Sequence, residues 1–105
     1  MSISEFVNNL LCIPVTRVGN QYIIEAIEIV IDTKNHKFYN KLSAVTGKSV
    51  RYLEKAMRDA KTLGLAYMDD ELKKSVFNTG GEVATTEYVL RASEYYRRNY
   101  GQQES

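Results

Sequence analysis

The sequence predicts an all-α fold, a single domain of five to six helices over residues 1–105 that contains a helix-turn-helix. Three observations predict it. Residues 46–64, TGKSVRYLEKAMRDAKTLG, carry Leu53, Ala56, Met57, Ala60 and Leu63 at the i, i+3, i+4, i+7, i+10 spacing of one helical face. Residues 22–32 are rich enough in β-branched side chains to suggest a strand, but Glu25, Glu28 and Asp32 recur with a period of 3.6 rather than 2, which is helical. Residues 38–45 form a shorter amphipathic segment, and Thr46-Gly47-Lys48 is the right length for a tight turn onto the central helix. Two helices joined by a short glycine-containing turn, the second one basic, make the helix-turn-helix pattern.

Each element follows from local signals. Ile3, Phe6, Val7, Leu10 and Leu11 have helical spacing, Ser2 with Glu5 suits a capping box, and Pro14 is expected to end that first helix. Residues 13–19 connect to a second helix, opening at Gly19-Asn20 and running to about Ile31, whose stripe is Ile23, Ala26, Ile27, Val30 and Ile31. A polar loop over 32–37 leads to the two helices of the motif. Ser49 is the expected N-cap of the second, and Gly64 its C′ stop. Residues 65–77 leave two readings open. Asp69-Asp70-Glu71 suits a first helical turn and Lys73-Lys74 a last one, whereas a winged helix would place strands at 65–67 and 75–77. A loop at 79–81 precedes a final helix, capped by Thr85 or Thr86 and ending near Tyr100, and residues 101–105 are expected to fray.

Composition narrows the function classes. A chain of 105 residues can bury one core, and 44% hydrophobic with 26% charged residues are globular values that leave disorder only to the ends. A net charge of +1 is a weak footprint for a nucleic-acid binder. The local balance differs: over 47–63, Lys48, Arg51, Lys55, Arg58 and Lys61 face only Glu54 and Asp59. Cys12 is the single cysteine, so no intrachain disulfide forms, and its apolar neighbours predict a buried thiol in a cytoplasmic protein. The N-terminus lacks the basic n-region of a signal peptide, and the longest apolar run is too short and too often charged to cross a membrane. One histidine and one cysteine form no metal set and no nucleophile signature, so neither an enzyme nor a cofactor is expected. His36 reads as a surface side chain, and Gly80-Gly81, without a following Lys-Ser or Lys-Thr, as a turn.

The chemistry sits on the central helix. Arg51, Lys55, Arg58 and Thr62 follow one another at four, three and four residues and form a cationic stripe opposite the apolar one. Such a stripe is either the solvated side of a core helix or a groove-inserting face whose cations reach guanine edges and phosphates. Lys48 and Ser49 stand at the helix N-terminus, where backbone amides hold phosphates, although Ser49 is equally a simple cap. Arg17, Lys37 and Lys41 flank the motif as further basic groups. The last helix is rich in tyrosine, with Tyr88, Tyr95, Tyr96 and Tyr100 beside Arg91, Arg97 and Arg98, a packing surface or a partner surface.

Residues 19–27, GNQYIIEAI, and 42–60, LSAVTGKSVRYLEKAMRDA, resemble the C-terminal DNA-binding effector domain of the sporulation master response regulator, stage-zero sporulation protein A. The matching stretches of that family read like GYQYLREAI and IAEKFGTTPSRVERAIRHA, and its last helix opens with a stretch like TNSEFI, against TTEYVL from Thr85. The resemblance implies a helix rather than a hairpin over 65–77, double-stranded DNA as partner, and pairing of copies as a homodimer on tandem sites. It places Glu54, Lys55 and Arg58 at the family's base-contacting positions. Lys55 stands where the family has arginine, which trades a bidentate fork for a point charge. Val50-Arg51-Tyr52 replaces the family's Pro-Ser-Arg, so Arg51 and Tyr52 imply contacts, or a target site, of their own. Thr46 replaces a bulky apolar residue and loosens a packing contact. The family's phosphorylatable receiver domain has no room ahead of Met1, so the expectation is a complete small protein of the phage or mobile-element kind without phosphorylation control. The rival expectation, motivated by the low net charge and these departures, is a helix-turn-helix scaffold reused to bind or inhibit a host protein complex.

Overall fold

The structure, a computed structural model, describes residues 1–79 and 81–101; Gly80 of the expected 79–81 loop and residues 102–105 of the expected tail lie outside the described residues. The described residues form helices joined by turns, with no strand among them. Helix α1, Ile3–Glu5, opens on the expected capping box: the Glu5 N–H donates to Ser2 Oγ at 3.1 Å and the Ser2 N–H to Glu5 Oε1 at 3.0 Å. It continues as a π-helical turn over Phe6–Leu10, which buries Phe6 and Val7. Pro14 is not the terminator. The chain reverses at Cys12, whose φ of 60° is left-handed, and Cys12 is half-buried there rather than enclosed.

Helix α2, Val18–Thr33, is the central element and touches α1, the π turn and three of the later helices: α3 (Phe38–Thr46), α4 (Val50–Tyr67) and α6 (Thr85–Tyr100). Its buried residues, Gly19, Asn20, Ile23, Ile24, Ala26, Ile27 and Val30, cover more of the cylinder than one stripe because neighbours pack on several sides. Asn20 is the polar member. Its Nδ2 donates to Asn8 Oδ1 at 2.7 Å and to the Ile13 carbonyl at 3.0 Å, which fastens the N-terminal corner to α2.

Helix α5, Asp70–Phe77, occupies the stretch left open between helix and hairpin. Asp69 accepts from the Leu72 N–H at 2.9 Å, and Asp70 and Glu71 stand in the first turn with Lys74 in the last, so the ends carry charges that match the helix dipole. Two expected boundaries are corrected. Gly64 does not stop α4, which runs on to Tyr67, and Gly64 is buried within it. Neither Thr85 nor Thr86 caps α6: the N-cap is Ala84, without a side-chain bond, and Thr85 is turned into the core. One cluster of buried side chains draws on every helix from α2 to α6 and on the π turn, with Tyr88 stacked on Phe77 at 4.6 Å between ring centres. Tyr95, Tyr96 and Tyr100 gather around Phe6, so the aromatic face of α6 packs largely against the N-terminal turn.

Candidate nucleic-acid interface

Successive residues of an α-helix turn by about 100°, so Arg51, Lys55, Arg58 and Thr62 share one narrow arc of α4, with Leu53, Met57, Ala60 and Gly64 opposite. The fold uses this division directly. The second set is buried and the first is exposed to solvent. What holds α4 in that orientation is close approach along its back. A Cβ at Gly19 of α2 would lie 2.2 Å from the Ala56 carbonyl oxygen and 2.8 Å from the Ala60 Cβ. A Cβ at Gly64 would lie 2.6 Å from the Leu11 carbonyl oxygen and 2.7 Å from Ile13 Cγ1. Backbone therefore meets backbone at both points, and α4 cannot roll without separating from α2 or from the corner at residues 11–13.

The turn between α3 and α4 fixes the start of the helix. Gly47 adopts φ 74°, Thr46 Oγ1 donates to the Leu42 carbonyl at 2.8 Å and accepts from the Lys48 N–H at 3.2 Å, and Ser43 Oγ donates to the Lys48 carbonyl at 2.6 Å. Thr46 thus closes the helix end with two hydrogen bonds of its hydroxyl. Ser49 is the N-cap, its Oγ accepting from the Tyr52 N–H at 3.1 Å. The amides of the first turn ahead of that bond have no partner within the helix.

The sequence-predicted residues come together. Ser49, Arg51, Tyr52, Glu54, Lys55 and Arg58 line one open depression of about 540 Å³, and Lys48 places Nζ over the Tyr52 ring, 5.5 Å from its centre. Ion pairs within 4.0 Å among the described residues are Lys73–Asp70, Arg91–Glu87 and Arg98–Glu94, so none neutralises a cation of α4. Glu54 and Arg58, which have the spacing of a helical pair, do not make one. Arg17, Lys37 and Lys41 are exposed as well.

Lys61 departs from the expected count of free charges. Its Nζ donates to the Val83 carbonyl at 2.6 Å, straddling the approach to α6, and burial lowers its ammonium pKa from the usual lysine value. It serves the fold rather than the outer face.

Two residues escaped the sequence reading. Tyr22 of α2 sets its ring against Tyr52, 6.1 Å between centres and 77° between planes, so α2 meets α4 beside this face. Its signal was available: Tyr22 is an aromatic residue outside the apolar stripe of its helix. Tyr39 of α3 lies beneath the Glu54 side of α4. Its hydroxyl is buried, and burial, then the Glu54 carboxylate, pushes the phenol up to about 12. No group of three or more His, Cys, Asp or Glu among the described residues could hold a metal ion, and no helix among them is long and apolar enough to cross a membrane. Compared with family models, curated proteins and solved structures, the chain matches none.

Proposed function

We propose that this chain binds double-stranded DNA sequence-specifically and acts as a transcription regulator, with α3 and α4 as its helix-turn-helix and α4 in the major groove. The observation that carries the reading is the outer face of α4: Arg51, Lys55 and Arg58 exposed on one arc, without ion pairs, on a helix whose back is locked to α2. A helix about 10–12 Å across fits a major groove about 12 Å wide. Lys48, Arg51, Lys55 and Arg58 would supply the electrostatic approach, and a subset of them the discrimination. A well-placed bidentate contact to a base contributes about 1–3 kcal/mol of preference, which Arg51 and Arg58 can make and Lys55, a point charge, cannot. Glu54 has no cationic partner and is free to accept from a cytosine amino group. The sequence resemblance to the sporulation effector domain points the same way and adds a homodimer on tandem sites and a cytoplasmic setting.

Binding to a random-sequence duplex should weaken steeply between low and moderate salt. The double substitution Lys55→Ala with Arg58→Ala should abolish it while leaving the helical circular dichroism unchanged, since both side chains are exposed. Absent or salt-insensitive duplex binding would sink the reading.

One observation favours a second reading, a protein-interaction module. Val18 and Tyr22 share a face of α2 one turn apart, Tyr22 touches Tyr52, and Val15, Val18 and Tyr52 are exposed, which makes an apolar strip beside α4. A stoichiometric complex with a protein partner that persists at high salt and is lost in Val18→Asp, with no duplex binding by the wild type, would select this reading.

A further inference from the structure

The Tyr22–Tyr52 pair belongs to two different helices, and only one of them is in the helix-turn-helix. Tyr52 is fixed from three directions. Its backbone N–H is held by the Ser49 hydroxyl at 3.1 Å, Lys48 Nζ stands over its ring at 5.5 Å, and the Tyr22 ring meets it edgewise at 6.1 Å. Even so, 44% of its surface is exposed. With a cation over the ring and a second ring set across it, Tyr52 offers a ligand its edge and its hydroxyl rather than an open face for base stacking. Tyr52 also stands about 100° around α4 from Arg51, on the flank toward α2 and not on the central arc. A side chain on the flank of a groove-inserted helix meets the sugar-phosphate wall, where tyrosine hydroxyls are among the usual donors.

We infer that Tyr22 and Tyr52, braced by Lys48, form a clamp in which the Tyr52 hydroxyl, held by that of Tyr22, donates to one backbone phosphate of duplex DNA and so sets how deep, and in which register, α4 enters the groove. The clamp rests on the DNA-binding reading above. It extends the interface to α2, outside the motif, and assigns Tyr22 a role in positioning rather than in base choice. The two phenols are linked: burial first, and the side-chain hydrogen bond to Tyr52 second, raise the Tyr22 phenol above the usual tyrosine value. Lys48 adds charge beside the neutral donors.

The test uses the whole chain and a duplex selected from a random pool, with affinities measured by fluorescence anisotropy across a salt series. Tyr22→Phe and Tyr52→Phe each remove one hydroxyl and keep the ring packing. Tyr52→Phe should weaken binding about tenfold, as expected for a lost hydrogen bond to a charged acceptor, and Tyr22→Phe should weaken it more than twofold through the lost hold on Tyr52. The loss should be equal on selected and random duplexes, and the salt slope unchanged. Lys48→Gln should instead reduce the log-log salt slope by about 0.9, the release expected for one phosphate contact. Single methylphosphonates walked along the selected duplex should reveal one position that weakens the wild type but costs Tyr52→Phe nothing further. The inference is overturned if wild type binds duplex DNA and both phenylalanine variants stay within twofold of it, or if they change the selected sequence instead of the affinity. A wild type that does not bind duplex DNA at all removes the DNA reading and the clamp together.

Discussion

Asn20 shows what one polar side chain does in an apolar centre. Burying an amide is costly unless its donors are used, and Asn20 uses both hydrogens of Nδ2, on Asn8 and on the Ile13 carbonyl. Asn20→Ala should therefore cost about 1–3 kcal/mol, because the buried Ile13 carbonyl loses its donor, and a lowered urea midpoint measures the loss. Tyr39 makes a second statement at this scale. Its phenol titrates at about 12 in the folded chain against 10.0 for an ordinary tyrosine. The folded-state value is the raised one, so on alkaline titration the unfolded chain loses this proton first. Stability from Tyr39 is full below pH 10 and falls as pH rises from 10 toward 12. Tyr88, fully buried with an unpartnered hydroxyl, shifts in the same direction because of its burial. Phenolate absorbance followed against pH should show these two tyrosines ionising last, and Tyr39→Phe should flatten the alkaline fall in stability.

At the scale of elements, the crossing of α2 and α4 and the contact of α4 with the corner at residues 11–13 decide what α4 presents. A glycine inside an exposed helix usually weakens it by about 1 kcal/mol relative to alanine. Gly64 reverses that sign. The Cβ of Gly64→Ala would meet the Leu11 carbonyl oxygen at 2.6 Å, a backbone atom with no rotamer by which to retreat. Overpacking of this kind costs about 1–3 kcal/mol, more than the propensity gain, so the urea midpoint should fall at an unchanged m-value. A raised midpoint would mean that the two segments are not in contact. Gly19→Ala should be the more damaging of the two, since its nearest backbone oxygen would lie at 2.2 Å. The start of α4 is governed differently, by the threonine and serine hydroxyls of residues 43–49, so changes there act on the turn and not on the packed back.

For the molecule as a whole, a net charge of +1 conceals a separation. The outer positions of α2 carry Glu25, Glu28 and Asp32, close enough that burial, then the two like charges, raise the Glu28 carboxyl pKa. Lys48, Arg51, Lys55 and Arg58, none of them in an ion pair among the described residues, follow one another instead at the start and along the outer side of α4. A protein that is nearly neutral at a distance and carries four cations along one helix would be oriented as it approached a polyanion. Four cations, Lys48, Arg51, Lys55 and Arg58, each neutralising one phosphate, predict a log-log salt slope of about −3 to −4, far steeper than the net charge suggests. A slope near zero would assign those charges to solvation.

The sequence by itself determined the helical elements other than α5, which it left open between helix and hairpin, and the two faces of α4, because these follow from a period that each residue carries locally. It also determined the grouping of Ser49, Arg51, Tyr52, Glu54, Lys55 and Arg58, since residues one turn apart on a helix are neighbours wherever the helix lies. The boundaries at Ser2 and Ser49 were legible because each side chain caps its own helix, and α3 was found from its apolar spacing without such a cap. Tertiary structure decided the rest. Gly64 looks like a stop signal until the corner at residues 11–13 is packed against it, and Lys61 looks like a surface charge until the Val83 carbonyl arrives beside it. Tyr22 meets Tyr52 only when α2 lies across α4. Each of these is a contact between residues distant in the chain, and local periodicity holds no information about which segment will come to rest on which.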